Sequence, residues 1–240
     1  MVVCHGTAGK LLNETFLKES SEAVAERIHA MRAMGVIVRG VRILKQKGDP
    51  FWAQSLTKLR FFELEQYKRL IYFDVDGLVL KSMNHLFRLP SAPVAMPRAY
   101  WLPQPTMSDQ LAVVEPSVER LHELLYQAET FGGFDMDVMN DLYNHQCLVL
   151  PNEYDFLSGE LRELNHTNYL GNHLVQWNAT AELTKAYYVH FSDFPSPKPW
   201  LMSPEELKAN GTGPACPPSC EERTLWLSLY TTFQKEMQYC

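Results

Sequence analysis

The sequence lacks the features of several protein classes. Five cysteines among 240 residues are too few and too scattered for a disulfide-built scaffold, although Cys216 and Cys220 could form one bridge across a Pro-Pro-Ser turn. The 28 acidic residues outnumber the 22 basic ones, and the net charge of -6 argues against nucleic-acid binding through bulk positive charge. We therefore expect a protein that handles small ligands and has no nucleic-acid partner.

Long apolar runs are also missing. No stretch approaches the roughly 18 residues of a transmembrane helix, so we expect no membrane span in this chain. The opening residues, MVVCHGTAGK, show neither the apolar region nor the cleavage site of a signal peptide. No targeting signal is visible.

Asparagine sequons are the clearest indication of a compartment. Four Asn-X-Thr sequons occur, at Asn13, Asn165, Asn178 and Asn210. Chance would give about one, because on the order of a tenth of positions are Ser or Thr. The excess favours a secretory lumen.

Alternating helical and strand patterns predict an α/β fold. Apolar spacing predicts helices at residues 20–34, 52–65, from about 116, 136–143 and from 219. β-Branched and apolar runs predict strands at residues 36–44, 70–73, 111–114 and 147–150. The run at 70–73 suits a buried parallel strand. A capping box of Ser219 and Glu222 should open the last helix, whose core stripe is Leu225, Leu229, Phe233 and Met237.

Two carboxylates follow the strand at 70–73. Asp74 and Asp76 lie where open α/β sheets bind ligands, and their i, i+2 spacing in an extended chain points both side chains the same way. Converging carboxylates repel each other unless a cation joins them, and Mg²⁺ or Mn²⁺ is the usual one. An acidic turn that binds no cation would have the same sequence.

Two metal-dependent chemistries use such a motif. One is the DxD motif of sugar-nucleotide transferases, where the acids hold the metal of the diphosphate. The other is the DxDG motif of Mg²⁺-dependent phosphatases with an aspartate nucleophile. About 70 residues precede the motif here, and Leu78 follows Gly77, which does not fit the phosphatases. The sequence favours the transferases.

Three further segments carry a family resemblance. Residues 55–70, with SLTKLR and EQYKRL, resemble the lead-in to the DxD motif of family 8 glycosyltransferases, the glycogenin-like group. Residues 82–87, SMNHLF, and 190–200, HFSDFPSPKPW, resemble two later motifs of that family in the same order. The resemblance covers roughly residues 36–200 and implies a single GT-A domain over 1–240, with 201–240 as a C-terminal tail and helix.

Within this family, four elements resemble fungal Golgi α-N-acetylglucosaminyltransferases: residues 89–101, residues 134–137, Asn140 and residues 156–162. The resemblance implies a retaining transferase that moves a sugar, N-acetylglucosamine, from a UDP-sugar to a glycan or glycoprotein acceptor. The alternative is a catalytically inactive relative that acts as a binding or scaffold protein. The phosphatase is the third hypothesis.

The resemblance also implies a metal and diphosphate site. Asp74, Asp76 and His190 match the metal ligands, and an imidazole among them suits Mn²⁺ better than Mg²⁺. Lys198 matches the lysine that stabilises the departing diphosphate. Lys58 matches the lead-in lysine, which could contact phosphate or only cap the strand. His190 and Lys198 could also be a hydrogen-bonded strand-end histidine and a solvated lysine.

The residues that the resemblance implies for catalysis match the family less completely than the metal ligands do. Asp135 matches an aspartate near the sugar, while Met136 replaces the glutamine that follows it in the family. Asp137 could compensate or could be a helix-start acid. Asp109 and Gln110 occupy the region where the family carries Asn-Ser-Gly.

Two aromatic residues of the 89–101 segment are further candidates for a sugar contact. Tyr100 and Trp101 could stack on a sugar or anchor their proline-rich loop.

The first 35 residues do not resemble the uridine-binding strand of the family. We therefore expect a truncated nucleotide pocket, weak UDP binding, little transfer by this chain alone, and homo-oligomers formed through an exposed sheet edge. A membrane anchor would have been lost with that segment. Golgi localisation follows from the resemblance and the sequons only.

Overall fold

The computed structural model describes residues 21–48, 53–102, 105–193, 197–209 and 220–237. These residues form a mixed α/β fold with two sheets. The α-helices are α1 (Ser21–Ala33), α2 (Val118–Phe131), α3 (Asp135–Tyr143), α4 (Thr167–Leu170), α5 (Ala179–Lys185), α6 (Pro204–Ala209) and α7 (Glu221–Glu236). Short 3₁₀ helices occupy Ser55–Glu63, Asn84–Arg88, Asn152–Tyr154, Ser158–Arg162 and Pro199–Leu201. No helix of the described segments is long and apolar enough to cross a bilayer.

The larger sheet has four strands in the order β1-β4-β3-β5. They are β1 (Leu70–Phe73), β3 (Val94–Pro97), β4 (Leu111–Val114) and β5 (Leu148–Leu150). β4 is antiparallel to both β1 and β3, while β3 and β5 are parallel. The expectation of a parallel strand at 70–73 is therefore wrong. An apolar run indicates that a strand is buried, but it does not show whether the neighbouring strand is parallel or antiparallel.

A smaller sheet carries the end of the acidic motif. It joins β2 (Gly77–Val79), β6 (Phe156–Leu157) and β7 (Tyr188–His190) in the order β2-β7-β6. Gly77 is the register partner of His190. Because β1 and β2 are separated by only three residues, the turn between the two sheets holds both carboxylates of the motif.

The strand expected at residues 36–44 does not form among the described residues. The segment is neither helix nor strand, and its hydrogen bonds are with side chains rather than with another strand. The Leu44 N–H and carbonyl bond the Thr57 hydroxyl at 3.0 and 3.1 Å, and Arg60 donates to the Arg42 carbonyl at 2.6 Å. β-Branched residues favour an extended backbone, but a strand also needs a partner.

Other expected elements are confirmed with changes. The helix expected at 52–65 is the 3₁₀ helix Ser55–Glu63, and Gly35 follows α1 with a φ of 84°, as expected for a C-cap. The last helix begins differently. Its N-cap is Cys220, whose sulfur accepts from Arg223 N at 3.3 Å, while Ser219 lies outside the described residues. Cys220 is disulfide-bonded, but Cys216 also lies outside the described residues, so their pairing stays a prediction.

The core has parts on either side of the site. One packs the larger sheet against the 3₁₀ helix Ser55–Glu63, α2 and α3. Another packs α7 against the smaller sheet, with Leu229 and Phe233 of the expected stripe buried beside Trp226 and Tyr230. These packed elements hold the turn between β1 and β2.

Candidate metal and sugar-nucleotide site

Asp74, Asp76 and His190 lie together at the turn between the two sheets. One ligand atom from each residue lies within 4.8 Å of the others. Asp76 and His190 are buried, and His190 Nε2 lies 3.2 Å from Asp76 Oδ1. Two carboxylates and an imidazole are hard and intermediate donors that suit a divalent cation of the Mg²⁺–Mn²⁺ class.

The backbone fixes the acidic turn from both sides. Asp74 N donates to Gln110 O at 2.8 Å, and Phe191 N donates to Asp76 O at 2.9 Å. The Tyr188 hydroxyl donates to Asp74 O at 2.7 Å and leaves no room for a side chain at Gly77. A residue with a Cβ at 77 would displace this hydroxyl, so glycine is required by space here.

The pKa values of the two carboxylates of the motif diverge. Burial raises the pKa of Asp74, and the ammonium of Lys58 only partly opposes it. Burial would also raise the pKa of Asp76, but His190 and then Lys198 outweigh it and hold that pKa well below its ordinary range. For His190, burial lowers the pKa, yet the neighbouring Asp76 carboxylate leaves it above its usual value.

Lys198 contacts the acidic motif directly. Its Nζ lies 2.9 Å from Asp76 Oδ2 and also donates to the Phe191 carbonyl. The side chain is 29% exposed, so the ammonium remains accessible from solvent. Lys198 therefore lies beside the DxD motif, and its contact with a diphosphate stays a prediction.

Lys58 is buried among three carboxylates. Its Nζ lies 2.6 Å from Asp135, 2.8 Å from Asp109 and 3.7 Å from Asp74. Burial lowers the Lys58 pKa, but the three carboxylates reverse the effect and raise it well above its ordinary value. The two roles expected for Lys58 are a phosphate contact and a strand cap. Neither role accounts for the three neighbouring carboxylates.

Acidic groups outnumber basic groups at this site. Burial, and then Asp135, raise the pKa of Asp109 well above its ordinary range. Burial would raise the pKa of Asp135 too, but Lys58 holds it below. Four acids, Asp74, Asp76, Asp109 and Asp135, lie beside three basic side chains, Lys58, Lys198 and His190. A divalent cation would offset that excess.

Asp137 has a structural contact. Its carboxylate accepts from the Phe134 N–H at 2.9 Å, and its side chain is exposed at the first turn of α3. Asp135, two residues earlier, is buried and paired with Lys58. Asp137 thus makes the helix-start contact, and its catalytic role remains a prediction.

The aromatic pair of the 89–101 segment is divided in the same way. Tyr100 is buried, and its hydroxyl accepts from Leu157 N at 3.1 Å, so it anchors the loop. Trp101 is half-buried and meets Tyr100 edge to face, with ring centroids 5.3 Å apart. Sugar stacking stays a prediction for Trp101.

Sequence reasoning missed two buried aspartates. Asp155 follows the 3₁₀ helix Asn152–Tyr154 and has a pKa that burial raises to about 6. Asp193 accepts from Trp226 Nε1 at 3.0 Å and from the Tyr230 hydroxyl at 2.9 Å, which ties α7 to the segment after His190. The i, i+4 spacing of Trp226 and Tyr230 could have indicated a polar anchor on the last helix.

Comparison with known proteins shows which proteins the chain resembles. No family model matches the chain. It is similar to glucose N-acetyltransferase 1 of Gibberella zeae, with 38% identity over 218 residues that cover 86% of this chain and 48% of that protein. The chain spans about half the length of this relative and of the Aspergillus fumigatus protein of the same name. It is also 32% identical over 93 residues to glycogenin-1 of Oryctolagus cuniculus, covering 38% of this chain and 27% of glycogenin-1.

Solved structures show the fold. The crystal structure of the glycosyltransferase GlyE of Streptococcus pneumoniae superposes with a TM-score of 0.54 at 14% sequence identity, covering 86% of this chain and 51% of that one. At this identity the likeness concerns the fold alone, and the predicted GT-A class is confirmed. The chain is similar over most of its length to the fungal glucose N-acetyltransferases and over a shorter stretch to glycogenin-1, so the predicted resemblance to glycogenin-like glycosyltransferases is confirmed.

Proposed function

We propose that this chain is a retaining glycosyltransferase that moves N-acetylglucosamine from a UDP-sugar to a glycan or glycoprotein acceptor and requires Mn²⁺. The observation that carries the proposal is the convergence of Asp74, Asp76 and His190 beside Lys198. The fungal relatives are glucose N-acetyltransferases by name, which supports transfer chemistry. We extend their activity to this chain as part of the proposal.

Different residues would contact the diphosphate and the sugar of the donor. Asp74, Asp76 and His190 would hold the cation, which when bound neutralises the charge of a diphosphate. Lys198 can exchange its contact with Asp76 for a phosphate oxygen, because its side chain is partly exposed. Asp135 lies 2.6 Å from Lys58 Nζ and would face the sugar, where its ionised carboxylate can stabilise positive charge at the reacting carbon.

Calorimetry tests the proposal. Purified protein is titrated with Mn²⁺, with UDP, and with UDP in the presence of Mn²⁺. The transferase requires UDP binding that depends on the cation. No UDP binding under any condition would contradict it and favour a scaffold role. UDP-N-acetylglucosamine hydrolysis and transfer to candidate glycans then identify donor and acceptor.

Lys198→Ala is expected to lower kcat by about 100-fold or more, with a smaller effect on affinity for the sugar nucleotide. The ammonium matters most when charge develops on the departing diphosphate. Steady-state kinetics separates the two effects. A change confined to KM would assign Lys198 to ground-state binding instead. Lys185→Ala is the matched control, because that exposed lysine pairs only locally, with Glu182.

We further propose that the chain works in the lumen of the secretory pathway. Asn165 and Asn178 are exposed, and their hydrogen bonds use Oδ1, which leaves Nδ2, the atom that carries a glycan, to be modified. Expression through a secretory pathway should therefore add mass that glycosidase treatment removes. Asn165→Gln and Asn178→Gln should each remove one glycan. An unshifted intact mass would remove this argument for the compartment.

A further inference from the structure

Gln110 lies between His190 and the buried Asp155. The side-chain amide of Gln110 is 3.3 Å from His190 Nδ1 and 3.1 and 3.2 Å from the two carboxylate oxygens of Asp155. With its nitrogen on this side, the amide donates to all these acceptors. The Ser108 hydroxyl also bonds Asp155, which is fully buried.

This arrangement sets the proton position on a neutral His190. When Nδ1 accepts a hydrogen bond, the ring proton resides on Nε2. Nε2 lies 3.2 Å from Asp76 Oδ1. A cation needs the lone pair of Nε2, which requires the proton on Nδ1 and an acceptor facing it. With its amide nitrogen on this side, Gln110 offers a donor instead.

We propose that Gln110 is a positioning residue whose amide turns when His190 ligates the cation. In the metal-free protein, Asp155 holds the amide nitrogen toward the histidine. When Nε2 ligates, the amide oxygen of Gln110 accepts from Nδ1–H and fixes the ring. The inference depends on the cation site of the proposed function, and it concerns a position in the region where the family carries Asn-Ser-Gly.

The proton position can be measured without any metal. Nitrogen-15 NMR of labelled histidine, at alkaline pH where the ring is neutral, distinguishes the Nε2–H from the Nδ1–H form. Wild type should show Nε2–H. The double variant Gln110→Glu with Asp155→Asn keeps the net charge, and it places a carboxylate against Nδ1 with an amide behind it. It should show Nδ1–H. The same form in both proteins would overturn the inference.

Cation affinity gives the second readout. Gln110→Met removes both hydrogen-bonding groups at nearly constant length and should weaken Mn²⁺ binding about tenfold or more, as loss of an outer-shell partner does. The charge-conserving double variant should bind Mn²⁺ at least as tightly as wild type. Gln127→Met is the matched control, because Gln127 donates to Asp141 at 3.0 Å on the exposed faces of α2 and α3. Gln127→Met should leave the Mn²⁺ affinity unchanged.

The outcomes separate the two hypotheses. If wild type binds Mn²⁺ and Gln110→Met binds it equally well, the inference is wrong and the proposed function stands. If wild type binds no Mn²⁺, the proposed cation site fails and the inference fails with it. If Gln110→Met does not fold, the double variant decides alone: a tenfold loss of Mn²⁺ affinity or an unchanged histidine form contradicts the inference.

Discussion

Asp76→Asn is expected to weaken Mn²⁺ binding by about 100-fold or more and to weaken UDP binding in the presence of Mn²⁺ with it. Outer-shell partners cost about 10- to 100-fold, and a direct ligand should cost at least the upper end of that range. Asp76 is buried, and its two oxygens face His190 Nε2 at 3.2 Å and Lys198 Nζ at 2.9 Å. Asparagine has nearly the shape of aspartate but lacks its negative charge. Binding of Mn²⁺ depends on that charge, and UDP binding depends on it through Mn²⁺.

Calorimetry with Mn²⁺ alone and with UDP plus Mn²⁺ measures the two losses. Asp141→Asn is the matched control, because it removes the same charge from an exposed carboxylate that bonds only Gln127 among the hydrogen bonds described. That variant should bind both ligands as wild type does. If Asp76→Asn retained its UDP affinity in the presence of Mn²⁺, the shared site would be wrong.

The local part of this site could be predicted from the sequence. Side chains at i and i+2 of an extended chain point the same way, so the convergence of Asp74 and Asp76 follows from their spacing. His190 was placed by the family resemblance, and the pairing of β2 with β7 is what brings it opposite Gly77. That pairing spans more than a hundred residues, and no local pattern encodes it.

Non-local features escaped prediction for the same reason. The segment 36–44 has the composition of a strand, but strand formation depends on a partner, which the described residues do not provide. Asp155 belongs to no recognisable sequence motif, and only the folded structure shows that it lies near Gln110 and His190. The acidic surroundings of Lys58 arise from residues at 74, 109 and 135, on three separate elements.

Lys58→Met is expected to destabilise the protein by about 3–5 kcal/mol at neutral pH, the usual cost of leaving one side of a buried ion pair uncompensated. Methionine fills a similar volume but cannot neutralise charge. Asp135, Asp109 and Asp74 lie 2.6, 2.8 and 3.7 Å from Nζ, and Lys58 is 4% exposed. Urea unfolding of wild type and variant measures the difference. Lys68→Met is the control, since Lys68 is exposed and forms no ion pair with the residues that the structure describes, so the unfolding midpoint should stay unchanged.

The pH dependence distinguishes buried charge from lost packing. Without Lys58, burial raises the pKa of these carboxyls in the folded state above the value of about 3.9 for aspartate in the unfolded chain. A raised pKa stabilises the folded state below the unfolded value, and this contribution is lost as the pH rises through the folded pKa. The variant should therefore recover much of its deficit as the pH falls from 8 toward about 5, because the buried carboxyls take up protons over this range. Packing loss alone would give a deficit that does not change with pH, and that result would show that the three carboxylates do not depend on Lys58 for their charge balance.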